Sequence, residues 1–192
     1  MRCFSCWVLS FTILCKKCEN ELFTIKMYTQ KLGSLDVLSF FTYSALEPLL
    51  LTKHTPQGYR VFNYLGKKTL KPFVEEFLEA DNRLIYVVGI DEVVKNGYSH
   101  VALLTHNMRH YYAKILHSSL LATNRVNYSG KNLEFRLHHP RKFVYKGKSK
   151  IDVILVDDII TTGITLQEAH TVLSQNGVNV LFALTLAYVE KN

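Results

Sequence analysis

The chain has 192 residues, 48% of them hydrophobic and 20% charged, a globular balance that excludes long disordered or low-complexity stretches and allows one full domain with a small appendage. Lysine and arginine number 23 against 16 acids, for a formal net charge of +7; this favours polyanionic partners and leaves nucleic acid, an anionic membrane surface and phosphorylated small molecules all open. No apolar run approaches the roughly 20 residues of a membrane-spanning helix, and the short run over residues 7–14, flanked by cysteines and without a small-residue cleavage site, reads as part of a cytoplasmic chain and not as a signal peptide.

All four cysteines fall in the first 18 residues, at Cys3, Cys6, Cys15 and Cys18, spaced C-x2-C-x8-C-x2-C. Each two-residue gap lets a tight turn aim its two sulfurs at one ion, and two such knuckles complete a tetrahedral tetrathiolate site, for which zinc is the expected metal. Unrelated buried thiols, a disulfide pair or an iron-sulfur cluster fit the paired spacing less well. A module this small cannot bury a core, so metal binding has to supply its folding free energy, roughly 10 to 16 kcal/mol. Four cysteines leave no open coordination position, which makes the zinc structural. Trp7 and Phe11 lie between the knuckles and Lys16 and Lys17 within the second. They either contact nucleic acid or cover the metal, and covering is the expected role.

Residues 19–35 read as a connector with room for a short hairpin or strand, and residues 38–43 as an aromatic-rich strand that opens the main domain. Residues 46–53 suit a short helix. From Gly58, the residues Phe62, Leu65, Thr69, Phe73 and Phe77 recur at helical spacing, with a break expected near Lys71 because of Pro72. Residues 84–90 are apolar and β-branched, as buried parallel strands are. Val101, Leu104, Met108, Tyr112 and Ile115 predict a long amphipathic helix over residues 101–121. His106 and His110 share a helical face, but without a carboxylate partner they read as structural, as does His100. Residues 151–156, 166–173 and 178–188 then alternate as strand, helix and strand, with Gly177 ending the helix. Strands alternating with helices predict an α/β fold, a parallel sheet flanked by helices, with its ligand site beyond the carboxyl ends of the strands.

The most informative stretch is residues 153–165. Four apolar residues, Val153 to Val156, lead into Asp157 and Asp158, and then into a loop with Thr161, Thr162, Gly163 and Thr165. A buried strand delivers the two carboxylates to the sheet edge, where they can accept hydrogen bonds from ribose hydroxyls or hold hydrated Mg2+. Gly163 permits positive φ and close backbone approach, the threonines supply hydroxyls, and the amides opening the next helix suit a phosphate dianion. This segment resembles the fingerprint of type I phosphoribosyltransferases, in which four hydrophobic residues, two acids and a T-T/S-G-x-T/S loop bind phosphoribosyl pyrophosphate. The resemblance implies that Asp157 and Asp158 hold the ribose hydroxyls, that Thr161, Thr162, Gly163 and Thr165 wrap the 5-phosphate, and that Mg2+ accompanies the ligand.

Taken with the cysteine knuckles, the chain resembles the ComF (ComFC) family of competence proteins, which pair such a knuckle with a phosphoribosyltransferase domain. Residues 1–35 are then the zinc-binding module and connector, and residues 36–192 the phosphoribosyltransferase-like domain. Where that family usually has prolines after its central strand and an Arg-Gly-Phe-Asn-Gln motif, this chain has Val88-Gly89-Ile90 and Asn96-Gly97-Tyr98-Ser99-His100. Membership implies a cytoplasmic protein, peripheral at the inner membrane. It would handle single-stranded DNA during natural transformation, beside a helicase-like partner and the membrane DNA channel. An active transferase working on a nucleobase or related acceptor is the alternative. One independent feature bears on DNA: Arg136, Arg141, Lys142, Lys146, Lys148 and Lys150 form an acid-free basic stretch interleaved with Phe143 and Tyr145. Cations on phosphates and rings on bases suit a single strand, and a solvated basic loop is the other reading.

Overall fold

The structure is a computed structural model that describes residues 1–23, 27–80, 83–90, 97–124 and 133–190. In chain order it begins with α1 (Lys16–Leu22), β1 (Tyr28–Leu32), β2 (Leu35–Thr42), α2 (Tyr43–Leu50), a 3-10 turn (Leu51–His54), α3 (Gly58–Lys68) and α4 (Leu70–Ala80). The central strand β3 (Ile85–Gly89) is followed by α5 (His100–His106), β4 (Ala113–Ile115), β5 (Leu120–Ala122), α6 (Leu133–His138) and β6 (Phe143–Tyr145). The chain then runs through β7 (Asp152–Ile160), α7 (Ile164–Gln175) and β8 (Asn179–Tyr188).

Among the described residues six strands form one sheet in the order β1-β2-β8-β7-β3-β4, parallel throughout except for the antiparallel edge pair β1 and β2. β5 and β6 form a separate antiparallel pair. The parallel strands are buried on both faces, which is why they read as unbroken apolar runs. One face packs Ile154, Val156 and Leu184 against Leu46, Phe62, Leu65, Val74 and Leu104 of α2 to α5. The other packs Val153, Leu155 and Ala183 against Leu166, Ala169 and Leu173 of α7. The expected α/β architecture is thus present, and no helix among the described residues is long and apolar enough to cross a membrane.

Three expectations shift. The connector contains α1 and then β1, whose residues pair with β2 from Tyr28↔Ser39 to Leu32↔Leu35. The helix break comes at Thr69, earlier than Pro72 suggested. Thr69 Oγ1 donates to Leu65 O at 2.7 Å, while Pro72 sits in the first turn of α4, where no amide is needed. The long helix over 101–121 is not formed: α5 ends at His106, and Ala113–Ile115 becomes β4, parallel to β3. The side chain of Asn107 donates to Leu103 O at 2.8 Å and to Asn63 Oδ1 at 3.1 Å, which ends the helix against α3. The free flank of β3 then outcompetes helical periodicity by offering backbone partners to Ala113, Lys114 and Ile115.

Candidate functional site

β7 carries both aspartates inside the strand and not past its end. On one flank its pairing with β8 continues through Asp157↔Thr185 to Ile160↔Tyr188. On the other, pairing with β3 stops at Gly89↔Val156. Asp157 and Asp158 therefore sit where β7 has outrun one neighbour, at the edge foreseen from the sequence but held by the other. They are only 8% and 4% exposed.

Buried carboxylates need partners. Asp157 Oδ1 accepts from the amide of Asp158 at 2.8 Å. In register beside it, Thr185 and Ser39 are fully buried and share a 2.7 Å hydrogen bond between hydroxyls. Asp158 is met by two side chains on one oxygen: Lys53 Nζ lies 3.1 Å and His100 Nε2 3.2 Å from Oδ2. Burial alone would raise the Asp158 pKa, but the His100 contact and the Lys53 charge outweigh it and hold the carboxyl well below its ordinary range.

Lys53 and His100 are the site residues that sequence reasoning missed. Lys53 ends a short apolar helical stretch and comes from the 3-10 turn. Tyr98 fixes that turn, its hydroxyl lying 2.8 Å from Lys53 O and 3.0 Å from Thr55 O. His100 opens α5, whose N-cap Ser99 accepts from Ala102 N at 3.1 Å. The only local signal was Ser99 before an apolar run, which marks a helix start and does not show where His100 points.

After Ile160 the chain turns through the exposed Thr161 and Thr162 into Gly163, which begins α7 with φ +78°. The positive φ favours glycine here, and a Cβ would also lie 2.5 Å from a methyl of Leu32 of β1, whose side chain would have to shift. A glycine N-cap has no side chain to satisfy the first amides of α7, so they stay available to an anion. Thr165 is half-buried in the first turn. The loop and the aspartates thus follow one another at one end of the sheet.

The four cysteine ligand atoms all lie within 4.8 Å of one another, and Cys6 Sγ and Cys15 Sγ are 3.6 Å apart, near the ~3.8 Å that a tetrahedral zinc with 2.3 Å bonds requires. Burial would push the Cys3 thiol up, but backbone amides of Cys6, Cys15 and Ser5 donate to its sulfur and bring it down to about 6. For Cys18, a hydrogen bond from Ser5 lowers the thiol, yet the neighbouring sulfurs and burial push it up to about 12. One sulfur prepared as thiolate beside a second, Cys18, that resists sharing its charge is a donor set suited to a dication. Trp7 and Phe11 do not cover this site, being 69% and 104% exposed; Leu14, fully buried, packs in the core with Cys3 and Cys18.

The basic stretch is less suited to stacking than its sequence implied. Phe143 is buried, and Tyr145 is half-buried with its hydroxyl donating to Lys148 O at 2.8 Å. An acid from outside the stretch also serves it: Glu168 of α7 accepts from the amides of Arg141 at 3.0 Å and Lys142 at 2.7 Å. Lys142, Lys146, Lys148 and Lys150 are exposed. Arg136 falls in α6, and its side chain, like Asn96, lies outside the described residues.

No protein-family model and no curated protein matches the sequence. Among solved structures the chain is similar to a hypoxanthine phosphoribosyltransferase from Staphylococcus aureus, with 17% identity over 66% of this chain and 64% of that one and a TM-score of 0.42. The chain thus spans under two thirds of that protein's length. It is also similar to the adenine phosphoribosyltransferase from Saccharomyces cerevisiae, with 15% identity over 92% and 99% of the two chains and a TM-score of 0.44. A third is the orotate phosphoribosyltransferase from Aeropyrum pernix, with 17% identity over 90% and 80% and a TM-score of 0.39.

Proposed function

We propose that the chain binds a phosphoribosyl ligand of the phosphoribosyl pyrophosphate class at residues 157–165. The supporting observation is the sequence of groups at one end of the sheet: two buried carboxylates, two exposed threonines, and a positive-φ glycine opening an uncapped helix. Carboxylates accept hydrogen bonds from ribose hydroxyls, and helix amides with threonine hydroxyls donate to the 5-phosphate. Mg2+, carried with the ligand's pyrophosphate, would supply charge neutralisation.

Binding is favoured over turnover. A transferase would use Asp157 and Asp158 to stabilise positive charge developing on the ribose, whereas Asp158 already shares its charge with Lys53 and His100. Calorimetric titration with Mg2+ and phosphoribosyl pyrophosphate should give saturable binding. Thr162→Glu, an exposed change that sets a carboxylate at the phosphate position, should weaken it by at least about tenfold. Absence of binding to the wild-type chain sinks the proposal. Pyrophosphate release on adding any of a panel of bases would move the reading to the active transferase.

A second reading, single-stranded DNA handling in natural transformation with helicase-like and membrane-channel partners, is favoured by the exposed lysines at 142, 146, 148 and 150. Binding to an oligonucleotide should fall steeply with salt and weaken when Lys142, Lys146 and Lys148 are replaced by alanine. Salt-insensitive binding would remove this reading and leave the ligand pocket untouched.

A further inference from the structure

A groove of about 630 Å³ runs between α3 and α5, and none of residues 157–165 lines it. Its size is within the roughly 300 to 1,000 Å³ of small-molecule sites. Gly66 lets the two helices close up at its floor, since a Cβ there would lie 2.9 Å from Asn107 Nδ2. That nitrogen is committed to Asn63 Oδ1 and Leu103 O. Asn63 Nδ2 and Asn107 Oδ1 have no hydrogen-bond partner among the described residues, so one donor and one acceptor of this amide pair remain.

One flank is cationic. Lys67, Lys71 and Arg109 are exposed there, with His106 and His117 alongside, and no carboxylate is among the described lining residues. Lys71 approaches the nearest paired acid, Glu75, only at 3.9 Å. At the other end is an aromatic platform. Tyr59 is 50% exposed and is held edge-on to Tyr98, with ring centroids 5.9 Å apart. Cations for phosphate, an exposed ring for stacking and an amide pair for a base edge are the three contacts that a nucleotide needs. The basic stretch at 141–150 has the cations without the exposed ring.

We propose that this groove is a second ligand site, separate from the 157–165 loop, that takes a nucleotide, free or within a single strand. Its phosphate would lie against Lys67 and Arg109 and its base on Tyr59. For the polymeric form this inference rests on the single-strand reading above.

The test is fluorescence anisotropy on the full chain with a fluorescein-labelled fifteen-nucleotide oligothymidylate, with AMP as competitor and in separate titration. Reversing charge in Lys67→Glu/Arg109→Glu should weaken oligothymidylate binding by about tenfold or more and make its salt dependence shallower by about 1.4 in the log-log slope, the loss of two phosphate contacts. Tyr59→Ala should weaken binding by at least about fivefold with the slope unchanged, because stacking releases no counterions. If the charge-reversed variant binds both oligothymidylate and AMP as the wild type does, the groove proposal falls and the single-strand reading stands. If the wild type binds AMP but not oligothymidylate, and the variant loses AMP, the groove holds free nucleotides and the strand reading falls. Binding of neither probe overturns both.

Discussion

Replacing Cys3 with serine should abolish metal binding and unravel the first 18 residues, with consequences that reach the main domain. Wild-type protein should carry about one zinc per chain, and the variant none. The gross loss is large, since structural zinc sites contribute roughly 10 to 16 kcal/mol of apparent binding free energy. The knuckles are not an independent appendage that can melt alone. Cys3, Leu14 and Cys18 belong to the same buried cluster as Phe41, Phe62 and Leu65, Lys68 of α3 pairs with Glu19, and the Phe23 ring stands edge-on to Phe41 and Tyr64. Loss of the metal should therefore lower the melting temperature of the whole chain and expose apolar surface to a hydrophobic dye. A metal-free protein with an unchanged melt would show that the cysteines cluster without serving as ligands.

Asp158→Asn should destabilise the fold by about 3 kcal/mol, at the lower end of the cost of removing one member of a buried charged pair. The lower end applies because Lys53 is 27% exposed and can turn partly to solvent, whereas His100, at 5%, cannot. The effect should depend on pH in a defined direction. The Asp158 carboxyl titrates below its ordinary value of 3.8 in the folded chain, so its stabilisation is complete above about pH 5 and drains away as the pH falls through the unfolded carboxyl's range to the lower folded one. Asparagine cannot titrate. Wild type and variant should differ most in urea midpoint at neutral pH and converge in strong acid. A constant difference across that range would show that Asp158 does not stabilise the chain through its charge.

Half of the sheet could be read directly from residue order. β3, β7, α7 and β8 carry apolar runs, and Gly163 and Gly177 mark the two ends of α7, so hydrophobic period and turn chemistry agree there. α5 was overextended because Met108, Tyr112 and Ile115 keep a helical spacing that only the open flank of β3 overrides. Periodicity in one segment carries no information about a vacant strand edge elsewhere. The loop and its aspartates were legible because they are contiguous. Lys53 and His100 were not, because they stand 105 and 58 residues from Asp158 and converge only after α3 and α5 pack together, with Tyr98 bracing the intervening turn. Trp7 and Phe11 were misassigned for a related reason: size and apolarity suggest burial, but the knuckle is too small to enclose them.

The strand order also bears on how the chain comes to be folded. β2 and β7 both rely on β8, which lies between them, and the Ser39 to Thr185 hydrogen bond spans 146 residues. Until β8 is available, the β1-β2 hairpin with its cysteine module and the β7-β3-β4 half have no shared strand. The closure of the longest loop in the sheet therefore waits for its last strand. In a nascent chain, β2 and β7 cannot be joined within one sheet until β8, Asn179–Tyr188, has been made.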